Sequence, residues 1–197
     1  MNFNFNYLEN GIKKQKILRI KLFLNVKNKE ELFQKIKANE IDSAFLNPVY
    51  IVSLFQIQVA CHNVMNSLSN NHLKTKNLHT ELIYYLYPGK SVKKALEDLG
   101  IGSNNVQHIL ECKFIDSNEN SNQNSNEIEN SNENSNEIEN LNENYLIQGE
   151  EQKNIVQSLN QIIDLPKIKK LYKINEKELL IGSLEDAVVL AMSTKEF

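Results

Sequence analysis

A chain of 197 residues holds one ordinary domain with a sizeable core, or a smaller domain plus sequence that joins no core. Its formal charge of -3 averages two unlike parts. Residues 117–144 carry seven Glu and no Lys or Arg, and without them 22 basic residues face 18 acidic ones, about +4. That balance is compatible with an RNA partner but does not select one, because nucleic-acid binders usually cluster their charge. Cys61 and Cys112 form no CxxC and no disulfide framework, which fits a reducing compartment and two small buried thiols. The opening MNFNFNYLENGIKKQK has neither secretory nor transit character, and residues 1–15 read as a flexible terminus. The charge-free stretch Ser43–Leu73 is interrupted by Pro48, Gln56, Gln58, His62, Asn63 and Asn66, so it predicts a buried helix rather than a membrane span.

From Lys16 to Val26 the residues Leu18, Ile20, Leu22, Leu24 and Val26 alternate with Arg19, Lys21 and Asn25, which predicts a half-buried strand. Asn28 with Glu31 reads as a capping box opening a helix whose stripe is Leu32, Phe33 and Ile36. A short apolar piece, Ile41–Leu46, leads to Asn47–Pro48, a helix start with Asn as cap and Pro in the first turn. The helix from Pro48 runs to about Asn66 and is apolar on most sides, so it is expected at the centre of the fold. Helices follow over Leu78–Leu86, stopped by Pro88–Gly89, and over Val92–Leu99, capped by Ser91 and ended at Gly100. Val106–Ile115 alternates as a second strand. Residues 117–144, in which NSNEIEN begins at Asn124 and again at Asn134, cannot bury enough apolar surface to offset their ordering entropy. They read as a disordered insert within one domain. Tyr145–Ile147 suggests a short strand, and Ile155, Leu159, Ile162 and Ile163 have helical spacing. A helical turn is expected over Lys167–Tyr172, and Ser183 with Asp186 caps a last helix from Leu184. The whole predicts an α+β fold: a single domain over 16–197, with several helices around a small, mainly antiparallel sheet.

In that last helix Leu184, Ala187, Val188 and Ala191 form one stripe, while Val189 and Leu190 lie outside it. A helix apolar on two faces is either enclosed by its own chain or buried against both the core and a partner.

Enzyme signatures are missing. No GxGxxG, GxxxxGK, GxSxG or HExxH occurs, and His62, His72, His79 and His108 do not stand at zinc spacing with the cysteines. His62 on an apolar helix and His108 on a strand read as satisfied structural residues. No catalytic residue, metal ligand, cofactor or small-molecule substrate is expected. Two features suit RNA: Lys74 and Lys76 flank Thr75 just before a helix N-terminus, and Lys90, Lys93 and Lys94 surround the start of the next helix. Taken alone, these lysines are a solvated surface. Of Tyr84, Tyr85 and Tyr87, at least two are expected to pack rather than stack on bases.

The runs AFLNPVYIVSLFQIQVACHNVM, LKTKNLHTELIYYL and SVKKALEDLGIGSNNVQHILECKFID, with the ending IGSLEDAVVLAMSTKEF, resemble the TPRKB family of PRPK-binding proteins from about Ile17 to Phe197. The resemblance implies a non-catalytic subunit of the KEOPS (EKC) complex, which forms threonylcarbamoyladenosine next to the anticodon of tRNAs reading codons that begin with A. It implies direct binding to the PRPK-like kinase/ATPase subunit, indirect contact with the transferase and other subunits, and tRNA docking that includes the 3′ CCA end, in cytoplasm and nucleus. Carried onto this chain, the kinase contact is the last helix, with Leu184, Val188, Val189, Leu190 and Met192, of which Val189 and Leu190 are the exposed anchors. The tRNA contact is Lys74, Thr75, Lys76 and Lys90. A stand-alone tRNA/RNA-binding module is the alternative, and a small enzyme comes third. The acidic insert departs from the family pattern. Since its charge would repel phosphate within about 8 Å at physiological salt, it is expected to project away from the RNA face.

Overall fold

The computed structural model of the chain describes residues 1–9, 11–102, 106–116 and 145–196. The expected disordered insert, 117–144, lies outside the described residues. Among them the chain forms strands β1 (Asn2–Glu9), β2 (Ile12–Leu24), β3 (Ala44–Leu46), β4 (Ile109–Asp116) and β5 (Glu150–Glu151). The helices are α1 (Lys29–Lys37), α2 (Leu54–Ser69), α3 (Leu78–Leu86), α4 (Val92–Leu99), α5 (Ile155–Ile162), α6 (Leu165–Tyr172) and α7 (Leu184–Ser193). Short 3-10 turns occupy Pro48–Tyr50, Glu178–Leu180 and Thr194–Glu196.

The sheet is antiparallel throughout, in the order β1-β2-β4-β3. β5 pairs with the last residues of β2, and since Phe23 faces both Ile109 and Glu151, β5 continues the edge that β1 begins. The alternation predicted for β2 separates its two faces. Leu18, Ile20 and Leu22 are fully buried in the larger core, with Ile57, Ala60, Cys61 and Val64 of α2, Leu82 and Leu86 of α3, and Val188 and Met192 of α7. Phe23 turns to a smaller core with Leu32 of α1, Ile41, Phe45, Ile101 and Ile109. The architecture is the α+β arrangement expected, with helices on both faces of one antiparallel sheet. Each fully buried Leu or Ile contributes about 1.5–3 kcal/mol, so the central helix α2 is held chiefly by this burial.

Five local expectations are corrected. Residues 1–15 are not a loose terminus: β1 pairs with β2 from Asn2 opposite Arg19 to Glu9 opposite Ile12, and Phe3, Phe5 and Tyr7 pack on the larger core. The Asn47–Pro48 pair starts only a 3-10 turn, with Val49 N–H donating to Asn47 Oδ1 at 3.4 Å. Backbone groups here serve other elements, Asn47 N–H to Leu99 O at 2.8 Å and Asp164 N–H to Val49 O at 3.0 Å. The long helix therefore begins later, where Ser53 Oγ accepts from Gln56 N–H at 3.2 Å. Asn28 stands at the N-cap position of α1, but its side chain accepts from no amide of the first turn, so the expected capping box is not formed. That side chain donates to Leu146 O at 2.8 Å and accepts from Gln148 N–H at 2.9 Å, holding the returning chain as an extended segment in place of the expected strand Tyr145–Ile147. Gly100 ends α4 at φ -79, outside the left-handed region. Glycine is required there because a Cβ would stand 2.4 Å from Leu96 O.

Candidate functional site

The lysine loop is organised from below by a carboxylate. Glu81, in the first turn of α3, is completely buried (0% exposed). Its oxygens accept from Lys74 N–H at 3.0 Å, Thr75 N–H at 2.8 Å and Thr75 Oγ–H at 2.7 Å. A charged acceptor with several donors is among the stronger polar contacts a protein builds, and this one turns the Lys74 and Lys76 side chains outward. Both lysines are exposed, and no carboxylate among the described residues pairs with either ammonium. Thr75 is half-buried and structural: its one hydroxyl proton lies within reach of Asn77 O as well, at 3.0 Å, so the two acceptors share it. The expected contribution of helix amides is smaller than the sequence suggests, because Thr80 N–H is already taken by the Asn77 cap at 2.7 Å. Lys90 is exposed at the opposite end of α3. Nine residues at 1.5 Å each separate the two ends by about 13 Å, so the structure does not gather Lys90 with Lys74 and Lys76 at one point. The sequence motif included Glu81 without revealing its role. An acidic residue in a first helical turn is ordinary there, and only the fold buries it.

Tyr84 and Tyr85 are buried, as packing residues, with rings 5.4 Å apart in an edge-to-face arrangement. They form the seat for the end of the chain. Lys195, buried just past α7, donates to Tyr84 O and to Tyr87 O at 3.3 Å, with its ammonium 3.6 Å from the Tyr84 ring centre. A cation at the carbonyl end of α3 meets both the unsatisfied acceptors and the helix dipole. α7 is thus locked at its far end by Lys195. At its start the expected capping box is formed: Asp186 N–H donates to Ser183 Oγ at 3.1 Å and Ser183 N–H to Asp186 Oδ2 at 3.0 Å. The Ser183 hydrogen bonds also hold the Asp186 carboxyl below its usual range.

Between these locks the helix has two faces, though not divided as the sequence suggested. Val188 (0% exposed) and Met192 (1%) are interior residues, so neither belongs to a contact surface, because both are spent on the core. Leu184 and Val189 are half-buried, and Leu190 stands 62% exposed at the crest. Sequence reasoning missed two neighbours. Leu180 (85%) and Ile181 (92%) project from the 3-10 turn that abuts α7. Their signal was three consecutive apolar residues, Leu179–Ile181, beside a glycine. A groove of about 370 Å³ is shared by the two regions, its lining including Asn63, Asn66, His72 and Lys74 together with Met192 and Ser193 at the end of α7.

The buried titratable groups are structural in their bonding. His79, not His62, is the buried histidine: His62 is exposed. His79 Nε2 accepts from Phe114 N–H at 3.3 Å and Nδ1 lies 2.9 Å from Asp42. Burial pushes its pKa down, with Asp42 opposing in part. His108 Nδ1 accepts from Asn25 N–H at 3.2 Å, and burial lowers it too. Cys61 and Cys112 are buried free thiols pushed up by burial, the opposite of a reactive cysteine. An apolar pocket of about 890 Å³ opens between α1, α3, α4 and β3. Among its polar lining residues, Ser43, Asn77 and His79 are engaged with Glu111, Thr80 and Phe114 respectively. Among the described residues no cluster of three metal-binding side chains occurs, and no helix is long and apolar enough to cross a membrane.

Comparison with known proteins gives a consistent result. A family model described as "Kinase binding protein CGI-121" matches residues 23–196. The chain is 32% identical over 176 residues to the "EKC/KEOPS complex subunit TPRKB" of Danio rerio, covering 89% of each chain. It is 32% identical over 170 residues to the "EKC/KEOPS complex subunit CGI121" of Candida albicans, covering 81% of this chain and 79% of that one. To the subunit of that name in Aspergillus fumigatus it is 24% identical over 186 residues, covering 90% of each.

Proposed function

This chain belongs to the CGI-121 kinase-binding family, and from that premise we propose that it is a non-catalytic subunit of the EKC/KEOPS complex. In this reading it grips the complex's PRPK-like kinase/ATPase through the outer face of α7 and helps dock tRNA, including the 3′ CCA end, for threonylcarbamoyladenosine formation. The other subunits are reached through the kinase, and the protein works in cytoplasm and nucleus. The observation that carries the reading is a helix locked at both ends, by Ser183–Asp186 and by Lys195, that nevertheless leaves Leu190 in solvent. A rigid helix presenting an apolar crest is suited to a preformed protein partner, since little further ordering is needed on binding. Val189 and Leu184 flank the crest, and Leu180 and Ile181 extend the apolar surface at its base.

The tRNA contact is assigned to the exposed ammoniums of Lys74 and Lys76, with Lys90 as a separate phosphate contact farther along α3. Lysines position a backbone without reading bases, so the contact is weak and gains from the tether: two modest interactions raise the local concentration of substrate at a remote active site. Co-purification with the organism's own PRPK-like kinase tests the reading. The wild-type chain is expected to hold the kinase and Leu190→Glu to lose it while staying folded. A folded chain that ignores the kinase yet binds tRNA with steep salt dependence supports the stand-alone RNA-binding module instead.

A further inference from the structure

Strand β1 forms one edge of the sheet, and because the family match begins at Phe23, β1 lies outside it. Met1 and Ile20 exchange backbone hydrogen bonds, Ile20 N–H to Met1 O at 2.7 Å and the Met1 ammonium to Ile20 O at 2.8 Å. The register continues with Phe3 opposite Leu18, Phe5 opposite Lys16 and Tyr7 opposite Lys14. In an antiparallel ladder, bonded and non-bonded positions alternate. The odd-numbered residues of β1 therefore bond β2, and the N–H and C=O of Asn2, Asn4 and Asn6 point away from the sheet. The next outward amide, Leu8 N–H, is committed to Ser69 Oγ at 3.1 Å. No described residue bonds the outward groups of Asn2, Asn4 and Asn6. The side chains follow the same alternation, with the three asparagines exposed and Phe3 and Phe5 half-buried against the core.

This edge lacks the usual safeguards. From Asn2 to Leu8 there is no charge, no proline and no break in register. It is also self-complementary, since Asn2-Phe3-Asn4-Phe5-Asn6 reads the same in both directions. We propose that β1 pairs with β1 of a second copy of this chain, antiparallel about a twofold axis through Asn4, joining two sheets edge to edge. In that register Asn4 faces Asn4, Asn2 faces Asn6, and each facing pair exchanges two backbone hydrogen bonds. Phe3 faces Phe5 on the apolar side, a favourable cross-strand pair, while the asparagines form a polar ladder on the other. Registers centred on Phe5 or Asn6 would call on Leu8 N–H, which Ser69 already holds. The palindrome makes a second copy the complementary occupant, and the closed twofold contact is of the isologous kind. The proposal rests on β1 alone and is independent of the kinase reading.

Analytical ultracentrifugation of the full chain over a concentration series is the test. A reversible monomer–dimer equilibrium is expected. Asn4→Pro removes only an outward amide, so the hairpin keeps its bonds and the dimer is lost. Asn4→Lys, which sets two ammoniums against each other at the axis, gives the same loss without altering the backbone. Asn4→Cys places its two copies about 5.5 Å apart at Cα, within disulfide reach, and is expected to cross-link on mild oxidation. Asn6→Cys, with copies more than about 13 Å apart along the strands, is not, and the buried native thiols do not contribute. Monomer at every concentration overturns the proposal. So does a dimer that survives Asn4→Lys, or one in which Asn6→Cys cross-links as readily as Asn4→Cys.

Discussion

The lysine loop and the terminal helix both present side chains to solvent, but they are held in opposite ways. The loop has almost no apolar support: one buried carboxylate, Glu81, carries two of its amides and a hydroxyl. The helix is anchored by Val188 and Met192 in the core, and its polar contacts act only at the two ends. A surface built on packing tolerates changes on its crest and fails through its underside. A surface built on a single charged clamp is expected to fail through that clamp while the domain stays folded.

The strongest break of this comparison is on α7. Val188→Asp buries an unpaired charge and is expected to cost at least about 3 kcal/mol, enough to unfold a marginal domain, as a urea titration will show. Two residues away, Leu190→Glu is expected to shift that same titration by no more than about 0.5 kcal/mol while lowering kinase affinity by about 2 kcal/mol or more. Next comes the clamp. Glu81→Gln keeps the shape but removes the charge and leaves one amide group facing the N–H donors. A loss of about 1–3 kcal/mol is expected, with faster hydrogen exchange concentrated at Lys74 and Thr75 and little change in α2.

A pH titration sharpens the picture of the core beneath. Folding lowers the His79 pKa, so the unfolded chain takes up a proton more readily. The stability tied to the neutral ring is present in full above about pH 6.5 and is lost as pH falls toward the lower folded value. His108 acts in the same direction. Urea midpoints are expected to drop below neutrality, and His79→Gln is expected to flatten part of that slope. The smallest stability effect belongs to Lys74→Glu with Lys76→Glu. It is expected to leave folding within about 0.5 kcal/mol of wild type and kinase binding intact while reducing tRNA modification, which a modification assay on the reconstituted complex reads directly.

What the sequence disclosed follows the range of the interactions. The bounds of α3 and α4 and the capping box of α7 were legible because caps and helix stops act over three or four residues. So was the inward face of β2, because strand alternation is local. Leu190 was legible as an outlier from its own stripe. Val188 and Met192 were misassigned to the contact surface, since an apolar residue at helical spacing does not disclose which of two apolar faces meets the core. Glu81 and Lys195 were not legible at all. The lysine's partner Tyr84 lies 111 residues away, and nothing near either residue marks it as buried. The β1 strand escaped for a related reason: alternating Asn and Phe resembles a polar tail until β2 and α2 cover one side. The same limit holds for Asn28, whose cap signature is local but whose two shortest side-chain hydrogen bonds go to Leu146 and Gln148.

The most direct test of the central claim is calorimetric titration of the PRPK-like kinase with the wild-type chain and with Leu190→Glu, alongside circular dichroism of both. Tight binding by the wild type, and its loss in a variant whose spectrum and melting are unchanged, is the predicted result. Equal affinity for the two folded proteins would contradict the assignment of the α7 crest as the kinase face.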